Sequence, residues 1–216
     1  MTVRCPVRAP VLVLLVPLLG AGLTGCGGDA EPTGSTSPSV TASPSDSPSG
    51  SPSGSPSGSP SEDPAVDGRL TGEGYALTLP EGWQDATDQF QEYSALIDVG
   101  AVNATQAGQA FSDNVNVLRN AEQPEVPVAQ AERQFSEELA TVASRVRVQP
   151  RVEVDGVESV HLTGRTRAGE VTALTDQYVA YADGAYVVIT FSHGAGTPRA
   201  QREEEVSSML ASWTWG

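Results

Sequence analysis

A low-complexity stretch of about forty residues most constrains how this chain can fold. From residue 27 to about residue 66 the sequence is mainly Ser, Pro, Gly and Thr, and the unit Ser-Pro-Ser-Gly repeats over 47–58. Such a segment holds too few apolar side chains to offset the entropy cost of ordering it. We therefore expect residues 26–68 to be a disordered linker with some polyproline II character, and residues 69–216 to be the globular domain.

The residues before this linker have the order of a signal peptide. Arg4 and Arg8 precede an apolar run over 11–20, which is about half of the ~20 residues needed to span a bilayer. A signal peptide over 1–25 is therefore favoured. The sequence Leu-Thr-Gly-Cys over 23–26 resembles a bacterial lipoprotein lipobox, which implies lipidation of Cys26 and a location on the outer face of the cell membrane. The alternative is an ordinary secretory signal that is cleaved elsewhere.

Cysteine content and charge narrow the classes of function. The other cysteine, Cys5, lies inside the expected signal peptide, so the exported chain would offer no free thiol for a disulfide, a nucleophile or a metal site. The whole chain has a formal charge of −15, and residues 69–216 contain 10 Arg and 21 Asp plus Glu. Nucleic acids and anionic lipid surfaces both bind basic proteins, so this acidic composition argues against either as a direct partner. The lipid anchor is therefore the expected link to the membrane.

Hydrophobic periodicity in residues 69–216 predicts an α+β fold. Alternation of apolar side chains predicts strands near 75–79, 114–117, 146–154, 160–162, 171–181 and 185–192, with Asp-Gly hairpin turns at 155–156 and 183–184. Helical spacing predicts helices over about 85–99 and 128–142, and a final helix that Thr197 caps. We expect a mostly antiparallel sheet of about five or six strands, packed by two or three helices in an α/β sandwich.

These elements, taken in order, resemble an actinobacterial lipoprotein domain of the LpqN type, which belongs to the broader PsbP-like fold. The resemblance is carried by the segments 75–83, 111–117, 177–191 and 212–213, and it covers about 74–213. It implies a binding or assembly module with a protein, cell-wall or small-molecule partner. It transfers no catalytic residues, and we expect no cofactor.

Residue types that could support catalysis or metal binding are few. The two histidines are predicted at an outward strand position, His161, and in a loop, His193, and each is best interpreted as a surface residue without a chemical role. No metalloprotease, nucleophile-elbow or P-loop motif occurs in the sequence. The polar run 113–116 lacks the glycine and final glutamate of a calcium-binding loop. The acidic run 203–205 is predicted on the solvated face of the last helix.

Five of the ten arginines in residues 69–216 lie close together in the sequence, namely Arg145, Arg147, Arg151, Arg165 and Arg167. The hairpin turn at 155–156 allows two registers. A two-residue loop pairs Val154 with Val157, whereas a three-residue loop pairs Val152 with Val160. The second register keeps the apolar residues on one face of the sheet, and is therefore the predicted one. It sets Arg147 opposite Arg165 and Arg145 opposite Arg167.

Like charges that face each other across two strands are destabilising, so this arrangement predicts an anionic ligand or an acidic partner on the outer face of the sheet. Two alternatives need no ligand. Glu153, Glu170 or Asp176 could neutralise the arginines, or a bulge near Pro150 could move them apart.

Two classes of function follow. The scarcity of histidine and thiol favours a non-enzymatic, lipid-anchored binding or assembly domain, and a small-ligand carrier with an apolar cavity between sheet and helix is a variant of it. The alternative is a surface enzyme, a hydrolase, which would need a pocket that gathers two carboxylates, or a histidine and a carboxylate, with perturbed pKa values.

Overall fold

The structure of the chain is a computed structural model that describes residues 68–168 and 170–216. The predicted signal peptide, Cys26 and nearly all of the predicted linker lie outside the described residues. The strands are β1 (Arg69–Gly72), β2 (Tyr75–Thr78), β3 (Trp83–Asp85), β4 (Ile97–Asn103), β5 (Asn114–Asn120), β6 (Ala143–Val154), β7 (Val157–Ala168), β8 (Val171–Ala182), β9 (Ala185–Gly194) and β10 (Thr214–Trp215). The α-helices are α1 (Thr87–Gln91), α2 (Val128–Leu139) and α3 (Arg199–Ala211).

The strands form two antiparallel sheets. The large sheet has the strand order β3-β4-β5-β9-β8-β7-β6, and the small sheet has the order β1-β2-β10. The predicted α+β class, with a mostly antiparallel sheet and three helices, is confirmed; the large sheet extends to seven strands. No helix in the described ranges is long and apolar enough to cross a bilayer.

The helix predicted over 85–99 is shorter than expected. It ends at Gln91, and Ile97 begins β4 instead of the last helical turn. The side chain of Phe90 packs directly on Gly100 of β4, where an added Cβ would lie 2.7 Å from the ring Cγ. Because glycine has no side chain, the strand passes close beneath the phenyl ring, and part of the predicted helix becomes the fourth strand.

The large sheet buries apolar residues on both faces. On the face covered by α3, called here the α3 face, Ile189 and Phe191 share one core with Met209. On the opposite face, the α2 face, Val188 shares a second core with Phe135 of α2. Successive residues of β9 therefore lie in different cores, as is typical of a central strand of a sheet that is covered on both faces.

Aromatic side chains close the α3-face core beside the small sheet. Tyr75 stacks on Trp213 with 4.6 Å between the ring centroids and 9° between the ring planes. The Tyr75 hydroxyl donates to an Asp98 carboxylate oxygen at 2.7 Å. The Trp215 indole N–H donates to the Val154 carbonyl at 2.9 Å and so connects the small sheet to the end of β6.

The predicted register of the β6–β7 hairpin is wrong. Asp155 and Gly156 adopt φ values of +45° and +78° and form a two-residue turn, so Val154 pairs with Val157. β6 then has an extra residue in each of two bulges, one between Ser144 and Arg147 and one between Gln149 and Val152.

The physical reason is that the sheet is packed on both sides at this hairpin. Val152 and Val154 contact the α3-face core, whereas Val160 and Leu162 belong to the α2-face core. The bulge next to Pro150 lets β6 change the face to which its apolar residues point. A register that collects them on one face is therefore not required.

The predicted opposition of arginines does not occur. Arg147 lies opposite Thr163, and Arg165 lies opposite Ser144. Arg145 lies within a bulge at φ +55° and is not paired with Arg167.

Candidate functional site

An open cleft of about 900 Å³ lies between α3 and the α3 face of β6, β7 and β8. Residues of α3 between Arg199 and Leu210 form one wall, and residues of β6, β7 and β8 form the floor. Apolar side chains from both walls line it, including Val152, Leu174, Val206 and Leu210. Charged and aromatic side chains line the rest.

Five arginines line the cleft, namely Arg145, Arg147, Arg165, Arg199 and Arg202. The two carboxylates in the lining are Asp176 and Glu203, so the formal charge of the cleft is about +3 with neutral histidine. Arg199 pairs with Glu203 at 2.7 Å. The other four arginines form no ion pair with any residue that the structure describes. A cationic cleft thus lies in a chain whose net charge is −15.

The bulges of β6 and the spacing of α3 bring these arginines together. Arg145 lies in the first bulge, and Arg147 follows it at the start of the next paired segment. Arg199 and Arg202 are three residues apart on α3 and therefore share one side of the helix. The sequence cluster predicted three of the five. The other two come from an element that only the tertiary fold places beside the sheet.

The two remaining arginines of the predicted cluster lie elsewhere. Arg151 pairs with Glu132 of α2 at 3.1 Å and with Glu158 at 3.5 Å. Arg167 is exposed on β7 and is not part of the cleft lining. The bulge near Pro150 therefore separates Arg151 from the rest.

A histidine and a carboxylate meet on the cleft floor. The Nε2 atom of His161 lies 3.3 Å from a carboxylate oxygen of Asp176. The imidazole stacks on the Tyr178 ring, with 4.4 Å between centroids. The pKa of the Tyr178 hydroxyl is raised, first by its burial and second by the negative charge of Asp176. Asp176, one of the acids expected to neutralise the arginines, thus contacts the histidine.

The prediction that His193 is a surface loop residue is wrong. His193 lies on β9, is 0% exposed and packs beneath α3. Its Nε2 atom is 3.3 Å from the Oε2 atom of Glu205. Burial lowers the pKa of His193, although the neighbouring carboxylates oppose this effect. The alternation of Val187, Ile189 and Phe191 continues to position 193, and is the signal that could have predicted its burial.

The polar run 113–116 is also buried and does not lie on the surface. The Asp113 carboxylate accepts hydrogen bonds from the Gly194 N–H at 2.7 Å, the Gln106 amide at 3.0 Å and the Thr197 hydroxyl at 2.9 Å. The prediction that Thr197 caps α3 is therefore wrong, because the Thr197 hydroxyl binds Asp113 instead. Glu205 is also not on the solvated face of α3, because its side chain is 12% exposed and points toward His193.

Comparison with known proteins gives similarity in structure only. No protein-family model and no curated protein matches the chain in sequence. A solved structure of LpqN from Mycobacterium tuberculosis, described as involved in cell envelope biogenesis, is 13% identical, with a TM-score of 0.47 over 69% of this chain and 85% of that one. Cyanobacterial PsbP from Synechocystis is 14% identical, with a TM-score of 0.49 over 75% of this chain and 100% of that one.

A structure from Bacteroides thetaiotaomicron is 11% identical, with a TM-score of 0.46 over 70% of this chain and 49% of that one. The chain thus spans about half of that protein's length. LpqN and PsbP, the two kinds of protein that the sequence resembles, are among the similar structures. At these levels of identity and TM-score, the similarities carry no argument about function.

Proposed function

We propose that this chain is a lipid-anchored cell-surface lipoprotein, on the outer face of the cell membrane, whose domain is a non-enzymatic binding or assembly module for an anionic ligand. The observation that carries the proposal is the cleft with five arginines and only two carboxylates. The ligand is a phosphate or carboxylate group, either on a small molecule or on a cell-wall or protein partner.

The chemistry of the cleft supports an anion as the ligand. Guanidinium groups present several N–H donors in a plane and bind phosphate and carboxylate oxygens in pairs. Arg145, Arg147 and Arg165 are exposed and form no ion pair within the described part of the chain, so they are available to a ligand. The apolar side chains of the same cleft would contact an apolar portion of that ligand, as a small-ligand carrier requires.

Inorganic pyrophosphate is a suitable probe of this proposal. We expect the full chain to bind it in the cleft, and the affinity to fall as salt is added, because the attraction is electrostatic. Replacing both Arg147 and Arg165 by glutamine should weaken binding by at least about 10-fold, since one charge-assisted hydrogen bond contributes ~1.5 kcal/mol or more. Isothermal titration calorimetry measures the affinity, and NMR shifts of the arginine side chains locate the probe.

Arg151→Gln is the matched control for this experiment. It removes one positive charge from β6, as the single Arg147→Gln variant does, but Arg151 pairs with Glu132 and Glu158 outside the cleft. We expect the control to bind pyrophosphate as the unmodified chain does. Equal weakening by the control and by the cleft variants would mean that only net charge matters, and would contradict an anion site in the cleft.

The anchor is tested separately at Cys26. Cys26→Ala should release the intact chain into the culture medium, because two or more acyl chains are needed for stable attachment to a bilayer. Fractionation of cells that express each form measures this. Retention of the Cys26→Ala chain in the membrane fraction would contradict lipidation at this residue.

The His161–Asp176 pair favours a surface hydrolase as the second candidate function. A carboxylate that orients an imidazole is the arrangement of a general base. No serine or threonine hydroxyl within the described ranges hydrogen-bonds to His161, so no nucleophile completes the pair. Turnover of an ester or phosphoester substrate that His161→Gln abolishes would favour the hydrolase over the binding module.

A further inference from the structure

We propose that His193, Asp113 and Glu205 form a binding site for a divalent transition-metal ion of the Zn²⁺ class. The three side chains come from the end of β9, the segment before β5 and the middle of α3. One ligand atom from each lies within 4.8 Å of the others. None of the three residues lines the arginine cleft, although Arg202 of that cleft is near enough to affect the pKa of His193. The inference does not depend on the function proposed for the cleft.

The distance between His193 and Glu205 matches that between two ligands of one ion, and Asp113 lies within 4.8 Å of both. Zinc binds imidazole nitrogen and carboxylate oxygen at about 2.0–2.2 Å, so two ligands of a tetrahedral ion lie about 3.3–3.5 Å apart. The Nε2 atom of His193 and the Oε2 atom of Glu205 are 3.3 Å apart. A metal ion bound to both atoms would need little movement of either side chain.

Hydrogen bonding leaves one oxygen of Glu205 available to a metal ion. Oε1 of Glu205 accepts a hydrogen bond from the Gln201 amide at 3.1 Å, whereas Oε2 is buried and has no hydrogen-bond partner among the described residues. The Asp113 carboxylate receives donors from Gly194, Thr197 and Gln106, and the Thr197 hydroxyl lies within hydrogen-bond distance of both carboxylate oxygens. A metal ion bound to Asp113 would therefore take the place of one of the two Thr197 contacts, since a carboxylate offers about four acceptor positions. These donors also fix the orientation of the carboxylate, as the outer partners of metal ligands do.

A simple ion pair between His193 and Glu205 accounts less well for the arrangement. The two atoms are at ion-pair distance, but their alignment is not that of a hydrogen bond, and neither ring nitrogen of His193 has a hydrogen-bond partner among the described residues. Leaving a buried polar atom without a partner is destabilising, because the atom has lost its hydrogen bonds to water. A metal ion bound to Nε2 and Oε2 would satisfy two such atoms at once.

The ligand types select the class of ion. Calcium takes six to eight oxygen ligands and magnesium keeps several waters, so a buried set of one imidazole and two carboxylates suits neither. Imidazole nitrogen together with carboxylate oxygen is typical of zinc and its first-row neighbours. Three protein ligands leave one position of a tetrahedral ion for a further ligand.

Titration of the chelator-treated full chain with Zn²⁺, followed by calorimetry, tests the proposal. We expect one ion per chain, and a visible spectrum of four-coordinate cobalt when Co²⁺ replaces it. Glu205→Gln keeps the size of the side chain and should weaken Zn²⁺ binding by at least about 100-fold, because even the outer partners of metal ligands contribute 10–100-fold. Thr197→Val, which removes one donor to Asp113, should weaken it by about 10-fold.

Glu204→Gln is the matched control, since it makes the same change one residue earlier on α3 at an exposed side chain that does not line the arginine cleft. The chain has two histidines, so the NMR signals of His193 should move with Zn²⁺ while those of His161 stay in place. Circular dichroism of each metal-free variant checks that it is folded. Absence of Zn²⁺ binding, equal affinity in Glu205→Gln and Glu204→Gln, or movement of the His161 signals alone would each overturn the proposal.

Discussion

Replacing Gly100 by alanine tests how closely α1 packs on the large sheet. The added Cβ would lie 2.7 Å from Cγ and 3.0 Å from Cε2 of Phe90. That ring is 0% exposed and belongs to the α2-face core, so it cannot turn outward into solvent to avoid the new methyl group. Overpacking of this kind lowers the free energy of unfolding by ~1–3 kcal/mol. Alanine also reduces the conformational entropy of the unfolded chain, which raises the free energy of unfolding by ~0.4–1 kcal/mol. We expect a net loss of about 1–2 kcal/mol in the free energy of unfolding, and a Tm lower by about 2–8 °C.

Urea unfolding followed by tryptophan fluorescence measures this loss, and circular dichroism measures the Tm. Gly196→Ala is the matched control, because an added Cβ there meets no atom within 4 Å and φ is not positive. It should leave stability unchanged or raise it slightly. A Gly100→Ala chain as stable as the Gly196→Ala chain would refute the close packing of Phe90 on β4.

A double variant separates overpacking from a general weakness of the strand. Phe90→Leu removes part of the ring that the new methyl group would meet, at the cost of some buried apolar surface. The double variant Phe90→Leu, Gly100→Ala should therefore be more stable than the sum of the two single losses predicts, by about 0.5 kcal/mol or more. Simple additivity would show that the two residues do not compete for the same space.

Three further predictions concern turns and buried tyrosines. Gly156→Ala and Gly184→Ala should each lower the free energy of unfolding by about 1 kcal/mol, measured by urea unfolding, because φ is +78° and +73° although no atom lies within 4 Å of either added Cβ. Tyr75→Phe should cost about 1.5 kcal/mol in the same assay, because its hydroxyl donates to the Asp98 carboxylate. Stability should fall as the pH rises above about 10, because burial raises the pKa of Tyr75 and Tyr178 in the folded chain, whereas the unfolded chain loses these protons at about pH 10. Urea unfolding at pH values from about 8 to about 11 checks the direction.

Local chemistry made much of the fold predictable. Hairpin turns occur at the Asp-Gly pairs 155–156 and 183–184, as predicted, because both residues of each pair have positive φ, a conformation that this pair favours. Only the predicted three-residue length of the loop at 155–156 was wrong. The apolar stripes of α2 and α3 follow the 3.6-residue period, and buried residues such as Phe135 and Met209 lie on them. These features depend on neighbours in the sequence, so the sequence alone was enough to predict them.

Features that depend on distant contacts were not predictable in the same way. The register of β6 and β7 requires knowledge that Val152 and Leu162 are buried on opposite faces, which only α2 and α3 together determine. Arg202 enters the cleft because α3 lies beside the sheet, and no spacing along the chain indicates this. The burial of His193 could have been predicted from the alternation along the strand, but the glycine that follows it favoured the interpretation as a loop.

Strand β6 has a consequence for how the domain can meet other chains. It is the twelve-residue outermost strand of the large sheet, and a long, regular edge of this kind invites pairing with a strand from another molecule. Two bulges and Pro150 interrupt its row of backbone N–H and C=O groups, so an added strand would find no continuous ladder to extend. The edge is therefore protected against aggregation, and a partner should be recognised through side chains and not by strand addition.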